Sequence, residues 1–445
     1  MIHPVIRIIF LQLLAASILF SSSSFAAPAG LSVEAAIEEG RKENPDLRGL
    51  ELAADAASWK KLETLAGHLP HISFQGSHFF DVKYARLGVI FNGTPVYIPS
   101  AYPQTTLEVD ASLLLFDGLG TINQFRAARL ESDAARLDFE VAKFMFEEKV
   151  RLRFNQALAA QQLDDVAEQN IKTLEDHLNL VKASERAGTG TKVDVLRIES
   201  LLEEARAERI LADDNVILAR RNLAEEMGKE QDDRPLEGQL PVPEMGPEKD
   251  KVTNALKFDI SARADVVAQT KREQAQDRLN SAAAAFWFPT LSLFAAEQWY
   301  KYGTFDPAVI PNANYLNAYS VGLKLSWNLF DGGASIARKA IASDSAEQAV
   351  EKSKKAQISS PNQFETWKRR FKYNAALYRA RQRSVEKSEE SSRLATLAAK
   401  AGTKTHSDVL DAELDLFRAR AGVISAQVAA SEAYSNLQLA LGHRL

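Results

Sequence analysis

The sequence predicts an internally duplicated α+β membrane protein, in which bilayer-length β-strand pairs are joined to helices longer than a globular core needs. Three observations predict it. A set of short motifs recurs along the chain at one fixed offset. Each copy contains a helical stretch of roughly 65 residues. Each copy also holds segments in which apolar and polar residues alternate with the period of a strand that has one oily face.

The duplication comes first, because a missed repeat misreads the whole fold. Leu115-Phe116-Asp117-Gly118 returns as Leu329-Phe330-Asp331-Gly332. Ala187-Gly188-Thr189-Gly190-Thr191 returns as Ala401-Gly402-Thr403-Lys404-Thr405, Asp194-Val195-Leu196 as Asp408-Val409-Leu410, and Gly228 as Gly442. All lie 214 residues apart (329 − 115, 401 − 187, 408 − 194, 442 − 228). Upstream, Leu69-Pro70 matches Phe288-Pro289 at an offset of 219, so the first copy carries about five extra residues before its Phe-Asp-Gly. The chain is therefore divided into a leader over residues 1–26, a first repeat over 27–229, an irregular connector over 230–257 and a second repeat over 258–445. Each repeat runs helix, strand pair (about 71–116 and about 290–330), long helix, hairpin tip (about 187–192 and about 401–405) and last helix.

The long helices, about Gly118–Ala187 and Gly332–Ala401, span roughly 100 Å at 1.5 Å per residue. Their apolar residues recur at three- and four-residue spacing, as in Leu163, Val166, Ile171, Leu174, Leu178 and Val181. That is coiled-coil patterning. Pro361 stands inside the second one, after Ser359-Ser360. A proline removes a backbone donor and crowds the preceding turn, so a break or kink is expected there, with Ser359 or Ser360 capping the restart. The first copy has Glu147 at the matching place.

In the segment Tyr319–Leu329, Tyr319, Val321, Leu323, Leu325, Trp327 and Leu329 share one face, and Ser320, Gly322, Lys324, Ser326 and Asn328 the other. In Leu107–Leu115 the odd-numbered residues are apolar and face away from Glu108, Asp110 and Ser112. His71–Val82 and Thr290–Tyr300 are the partner strands. Phe79, Phe80, Tyr84, Trp287, Trp299, Tyr300, Tyr302 and Trp327 supply aromatics suited to the two membrane interfaces. An ordinary half-buried sheet alternates in the same way. Four strands cannot close a barrel, and open edges cannot sit in lipid. A membrane reading therefore requires several chains to pool strands, and three would give twelve.

The ends and the composition set the compartment. Arg7, the apolar run Ile8–Phe20 and the small residues Ser21–Ser24 and Phe25-Ala26-Ala27 form a signal-peptide layout, with cleavage expected after Ala26. The chain has no cysteine. That excludes disulfides, thiolate metal sites, cysteine nucleophiles and a lipid anchor on an N-terminal cysteine. The net charge of −5 gives nothing for a nucleic acid to bind. No Walker loop, HExxH or GxSxG motif is present, and the seven histidines are scattered. His68 and His71 flank Pro70 and read as interfacial polar residues rather than as a metal pair. No enzyme activity, cofactor or metal is expected.

The duplicated Leu-Phe-Asp-Gly and Ala-Gly-Thr-x-Thr motifs, in this order and with Asp-Val-Leu after the second, resemble the TolC family of outer membrane efflux proteins over essentially the whole mature chain. The resemblance implies a homotrimer, with one twelve-stranded β-barrel in the outer membrane continuous with a helical tunnel in the periplasm. It also implies docking to a periplasmic adaptor and an inner-membrane transporter, for efflux or type I secretion. It carries Asp408 and Asp411 onto a ring of carboxylates at the tunnel entrance; Asp415 extends the row at i, i+3, i+7. Such a ring selects cations, whereas the plain alternative is a set of solvated acids at a helix start. Lys404 falls where the family has a latching arginine and Asp194 at its partner. Lysine lacks the bidentate fork, and the accompanying tyrosine is Ala399 here. Gly188, Thr189, Gly402 and Thr403 form the hairpin tips, expected to meet the adaptor; glycine supplies the turn and threonine caps the next helix. Two departures stand out: the chain ends at Leu445, before the longer tail of better-known members, and the lipoprotein branch's cysteine is absent. The sequence does not name the substrate. A non-pore coiled-coil scaffold is the alternative reading.

Overall fold

The computed structural model describes residues 30–80, 86–99, 103–242, 258–301 and 315–444. The leader expected over 1–26, and Tyr84 and Tyr302, lie outside them. The elements are α1 (Val33–Glu43), α2 (Pro45–Ala66), β1 (His71–His78), β2 (Arg86–Phe91), β3 (Thr94–Pro99), β4 (Thr105–Phe116), α3 (Gly120–Arg186), α4 (Lys192–Glu226), α5 (Ala264–Ala283), β5 (Thr290–Lys301), β6 (Leu316–Ser326), α6 (Ala334–Lys400) and α7 (His406–Leu441). α3 and α6 are each 67 residues long, and both of their ends differ by the 214-residue offset. The chain separates into two compact units. One comprises Met1–Asn44, Lys149–Pro243 and Leu377–Ser431; the other comprises Pro45–Glu148, Glu244–Ala376 and Glu432–Leu445.

The second unit holds the sheet. Four antiparallel strands stand in the order β1-β4-β5-β6. The register brings like residues together: Ile72 lies opposite Ala111, Ala111 opposite Ala295 and Ala295 opposite Val321. Directly opposed residues share a face, so the odd-numbered residues of β4, β5 and β6 and the even-numbered ones of β1 make one apolar surface. Glu297 is its one carboxylate, and it accepts from Asn317 Nδ2 at 3.5 Å. Phe74, Tyr319, Val321, Leu323 and Leu325 on this face are all more than 60% exposed in a single chain. The other face carries Glu108, Asp110, Gln298 and Lys324, and Gln298 Nε2 donates to Glu108 at 3.1 Å. Gly322 leaves room there for the Phe294 ring, whose edge would stand 3.1 Å from an added Cβ. Among the described residues, β1 and β6 each have a strand on one side only.

The strand boundaries correct the sequence reading in part. β6 runs Leu316–Ser326, so Trp327 and Leu329 lie past its end. A second hairpin, β2–β3, was not anticipated. Its turn is Asn92-Gly93 with φ of 49° and 81°, the conformation that two-residue hairpin loops favour. The opening helical stretch of the first repeat is two helices, because Asn44 precedes a proline and is extended (ψ 119°). Pro45 then opens α2, where its missing N–H costs nothing.

Pro361 does not break its helix. α6 is continuous from Ala334 to Lys400 with the proline inside it. Ser359 and Ser360 do not cap a restart; their hydroxyls donate to the Ala356 carbonyl at 3.3 and 2.7 Å. Back-bonding of this kind bends a helix and gives the ring room. Phe364 and Phe371 just beyond are buried against Ala433, Leu437 and Leu441 of α7, and this packing holds the helix through its weak point. Proline inside a helix costs about 3 kcal/mol relative to alanine. Pro361→Ala is therefore expected to stabilise the protein by about 1–3 kcal/mol, read as a raised midpoint in thermal unfolding followed by helical circular dichroism.

In the first unit the connector is pinned at its described end. Leu31 and Leu236 form a parallel bridge. Glu39 of α1 accepts from both outer nitrogens of Arg234, at 2.9 and 2.7 Å, and from Lys229 Nζ at 2.5 Å. The Arg234 and Lys229 hydrogen bonds hold the Glu39 carboxyl down to about 2 from its usual 4.5. A depressed carboxylate stabilises the fold above its unfolded value and loses that contribution as pH falls through the folded one. Glu39 is about one-third exposed, so solvent screening leaves about 1–2 kcal/mol. Arg234→Ala should lower stability by that amount at pH 7. The gap to the parent should close between about pH 4.5 and about pH 2, as measured by urea unfolding at each pH.

Gly228 and Gly442 end α4 and α7 at repeat-equivalent positions. Both have positive φ, 79° and 83°. A Cβ on Gly228 would lie 2.5 Å from the Glu43 carbonyl, and one on Gly442 would lie 2.6 Å from the Ala262 carbonyl. α4 thus closes onto the turn that opens α2, and α7 onto the turn that opens α5, by the same backbone approach.

Candidate functional site

The two helix–helix turns of the first unit are built alike. At the end of α3, Gly188 takes φ 74°, with Gly188 N–H donating to Glu185 O and Thr189 N–H to Ser184 O. At the end of α6, Gly402 takes φ 73°, with Gly402 N–H donating to Ala399 O and Thr403 N–H to Ala398 O. Both are left-handed glycine caps, which satisfy the carbonyls that a helix end leaves orphaned. The capping threonines, however, are not Thr189 and Thr403. Those hydroxyls donate backward, to Ser184 O at 3.1 Å and Ala398 O at 3.0 Å. Thr191 and Thr405, two residues on, start the next helices. Thr191 Oγ1 accepts from Asp194 N–H while Asp194 Oδ2 accepts from Thr191; Thr405 and Asp408 do the same. These are capping boxes with aspartate in the third position. Gly188, Thr189, Gly402 and Thr403 are exposed, as are Val193 and Leu196 beside them.

The carboxylates singled out in the sequence each have a local partner. Asp194 and Asp408 are held below the usual carboxylate range by their own threonines. Asp411 Oδ1 accepts from Arg197 Nη2 at 2.9 Å, and Asp415 lies 3.8 Å from Arg418. Lys404 adds to the positive field at Asp408. Among the described residues it forms no ion pair with Asp194 within one chain.

The structure adds residues that the sequence reading missed. Arg197 on α4 grips α7 twice, through Asp411 and through the Ser407 hydroxyl. Arg197 and Asp411 are themselves 214 residues apart, so equivalent positions of the two repeats face each other with opposite charge. That complementarity was the signal available in the sequence. Two turns from the tip, His177 Nε2 on α3 lies 2.5 Å from Glu413 Oε2 on α7. Beneath these contacts, Leu174 and Val181 of α3, Val195, Ile198, Leu202 and Ala205 of α4 and Leu410 of α7 form one buried apolar cluster. The site therefore joins the two hairpins by an apolar seam with polar clasps.

Against known sequences, the profile of the outer membrane efflux protein family matches residues 36–229 and 260–443, one stretch in each repeat. The chain belongs to the outer membrane efflux protein family. Nodulation protein T of Rhizobium leguminosarum bv. trifolii is 25% identical over 417 residues, covering 91% of this chain and 84% of that one. Among solved structures, the outer membrane protein VceC of Vibrio cholerae superposes with a TM-score of 0.75 at 17% identity, over 93% of this chain and 96% of that one. The MtrE outer membrane channel of Neisseria gonorrhoeae, solved in an open state, gives 0.71 at 20% identity over 92% and 89%. An efflux protein of this family is a channel, not an enzyme, and it sits in the outer membrane with a large periplasmic part. The long helices are its periplasmic portion.

Proposed function

We propose that three copies of this chain form one duct, which carries solutes from the periplasm, or directly from an inner-membrane transporter, to the cell exterior. The observation that carries it is the sheet. It has one apolar face, one charged face and strands at both ends with an open side. No single copy can rest in lipid, whereas three sheets joined edge to edge close a twelve-stranded wall with the charged face inward. The flanking helices agree. Leu52, Trp59 and Leu62 on α2 and Ile336, Ile341 and Ile358 on α6 are large, apolar and exposed in one chain, as surfaces meant for neighbouring copies are.

The hairpin pair is the periplasmic gate. Arg197 to Asp411 and Ser407 holds the two hairpins of one chain together. Lys404, exposed at its tip, is free to reach Asp194 of the neighbouring copy. Asp408, Asp411 and Asp415, repeated three times around the entrance, form the cation-attracting ring. The exposed tips at Gly188, Thr189, Gly402 and Thr403 are where a periplasmic adaptor docks and pulls the hairpins apart, in efflux or in type I secretion. Planar-bilayer recording of the purified full chain tests this. Stable single-channel steps with preference for cations are expected. A chain that assembles but never conducts would be a coiled-coil scaffold instead.

A further inference from the structure

We infer that His177 and Glu413 form a proton-controlled clasp between α3 and α7, closed when the imidazole is charged and released when it is neutral. The geometry is specific. His177 Nε2 lies 2.5 Å from Glu413 Oε2, an ion-pair approach without hydrogen-bond alignment, and the two side chains are 13% and 20% exposed. The other ring nitrogen, Nδ1, is buried with no hydrogen-bond partner among the described residues. That burial opposes charging, because an imidazolium leaves its Nδ1–H unpaired there, whereas the carboxylate attracts the imidazolium more strongly than the neutral ring. The close Glu413 carboxylate accordingly raises the His177 value above the ordinary one, against the opposing effect of burial, and Asp176 on the same helix adds to the rise.

Charged groups on the surrounding helices pair with one another, and His406 of α7 adds to the positive field at Asp194 of α4. On α4, Arg197 holds Asp411, Glu199 pairs with Lys182 of α3, and Arg206 pairs with Glu203 and with Glu175 of α3. On α6, Glu389 is paired with Arg420 of α7, and Glu390 with Arg393. Histidine is the side chain whose charge changes near neutral pH. This clasp is therefore a member of the seam that a shift in external pH can remove, while the Arg197 contact stays charged throughout. It rests on the duct reading only for what it controls.

The chain has no cysteine, so cysteines introduced at the exposed positions Asn179 of α3 and Arg418 of α7 would be the sole sites for spin labels. In the full-length protein the label-to-label distance is expected to lengthen as pH is raised from about 5.5 to about 8.5. In H177Q it should stay long at every pH. In E413Q it should likewise stay long at every pH, because no carboxylate is left to hold the imidazolium. Channel opening in planar bilayers should rise over the same range in the parent and lose its pH dependence in H177Q. A distance that ignores pH in the parent, or that still responds in H177Q, overturns the clasp. A distance that responds while opening does not would show that the clasp does not control passage, which also overturns the inference. If no variant conducts at all, the duct reading falls and the distances alone decide the clasp.

Discussion

Arginine in place of Val321 is expected to prevent the protein from accumulating as a folded assembly in the outer membrane. Val321 lies mid-strand in β6, in the row Ile72, Ala111, Ala295, Val321, and is 68% exposed in one chain. On a barrel's lipid face near the bilayer centre, an arginine costs about 2–4 kcal/mol. Three copies in one barrel bring that to about 6–12 kcal/mol, comparable to the whole stability of a typical fold. Ser320→Arg makes the same chemical change one residue away on the opposite face, where it meets water. Refolding into lipid vesicles, read by the heat-sensitive mobility of the assembly on a gel, should show loss for V321R and a parent-like band for S320R. Equal tolerance of the two would mean that this face does not meet lipid, and the pooled barrel would have to be abandoned.

Much of this was legible in the sequence because its periods are long and clean. The 214-residue offset fixes the paired ends of α3 and α6 and the matched turns at Gly188 and Gly402. The alternation in β4 and β6 marks one apolar face without any structure. What was missed has a physical reason in each case. The β2–β3 hairpin is announced only by Asn92-Gly93, between the two expected strands His71–Val82 and Leu107–Leu115. Pro361 was read as a breaker from local chemistry alone, whereas the burial of Phe364 and Phe371 keeps the helix whole. The capping threonine was placed two residues early, because Thr189 and Thr191 are equally good caps in sequence and only the backbone turn decides between them. His177 and Glu413 sit 236 residues apart (413 − 177), on helices whose facing register no local pattern reports.

The last prediction concerns what holds the hairpins together. Arg197 and Asp411 are each about half exposed, and a contact of that kind is worth roughly 1 kcal/mol or less. If three copies open together, their contacts add to about 3 kcal/mol, a roughly hundredfold change in the opening equilibrium. Arg197→Ala is therefore expected to raise the fraction of time the channel conducts, and Asp411→Ala to do the same. The double change should add little to either single one, because all three remove one interaction. Lys404→Ala should act in the same direction if Lys404 reaches Asp194 of a neighbouring copy. Asp194 needs a control, since its carboxylate also closes the capping box with Thr191. Asp194→Asn keeps a capping side chain and removes the charge, so it isolates the latch from the helix start. The ring has a different signature. Asp408→Asn with Asp411→Asn should lower cation selectivity and weaken block by multivalent cations, whereas Arg197→Ala, by freeing Asp411, should sharpen both. Selectivity that is the same in all of these variants would make the three aspartates ordinary helix-start acids. A conducting fraction that does not rise in Arg197→Ala would mean that the apolar seam of Leu174, Val195 and Leu410 keeps the end shut without help from charge.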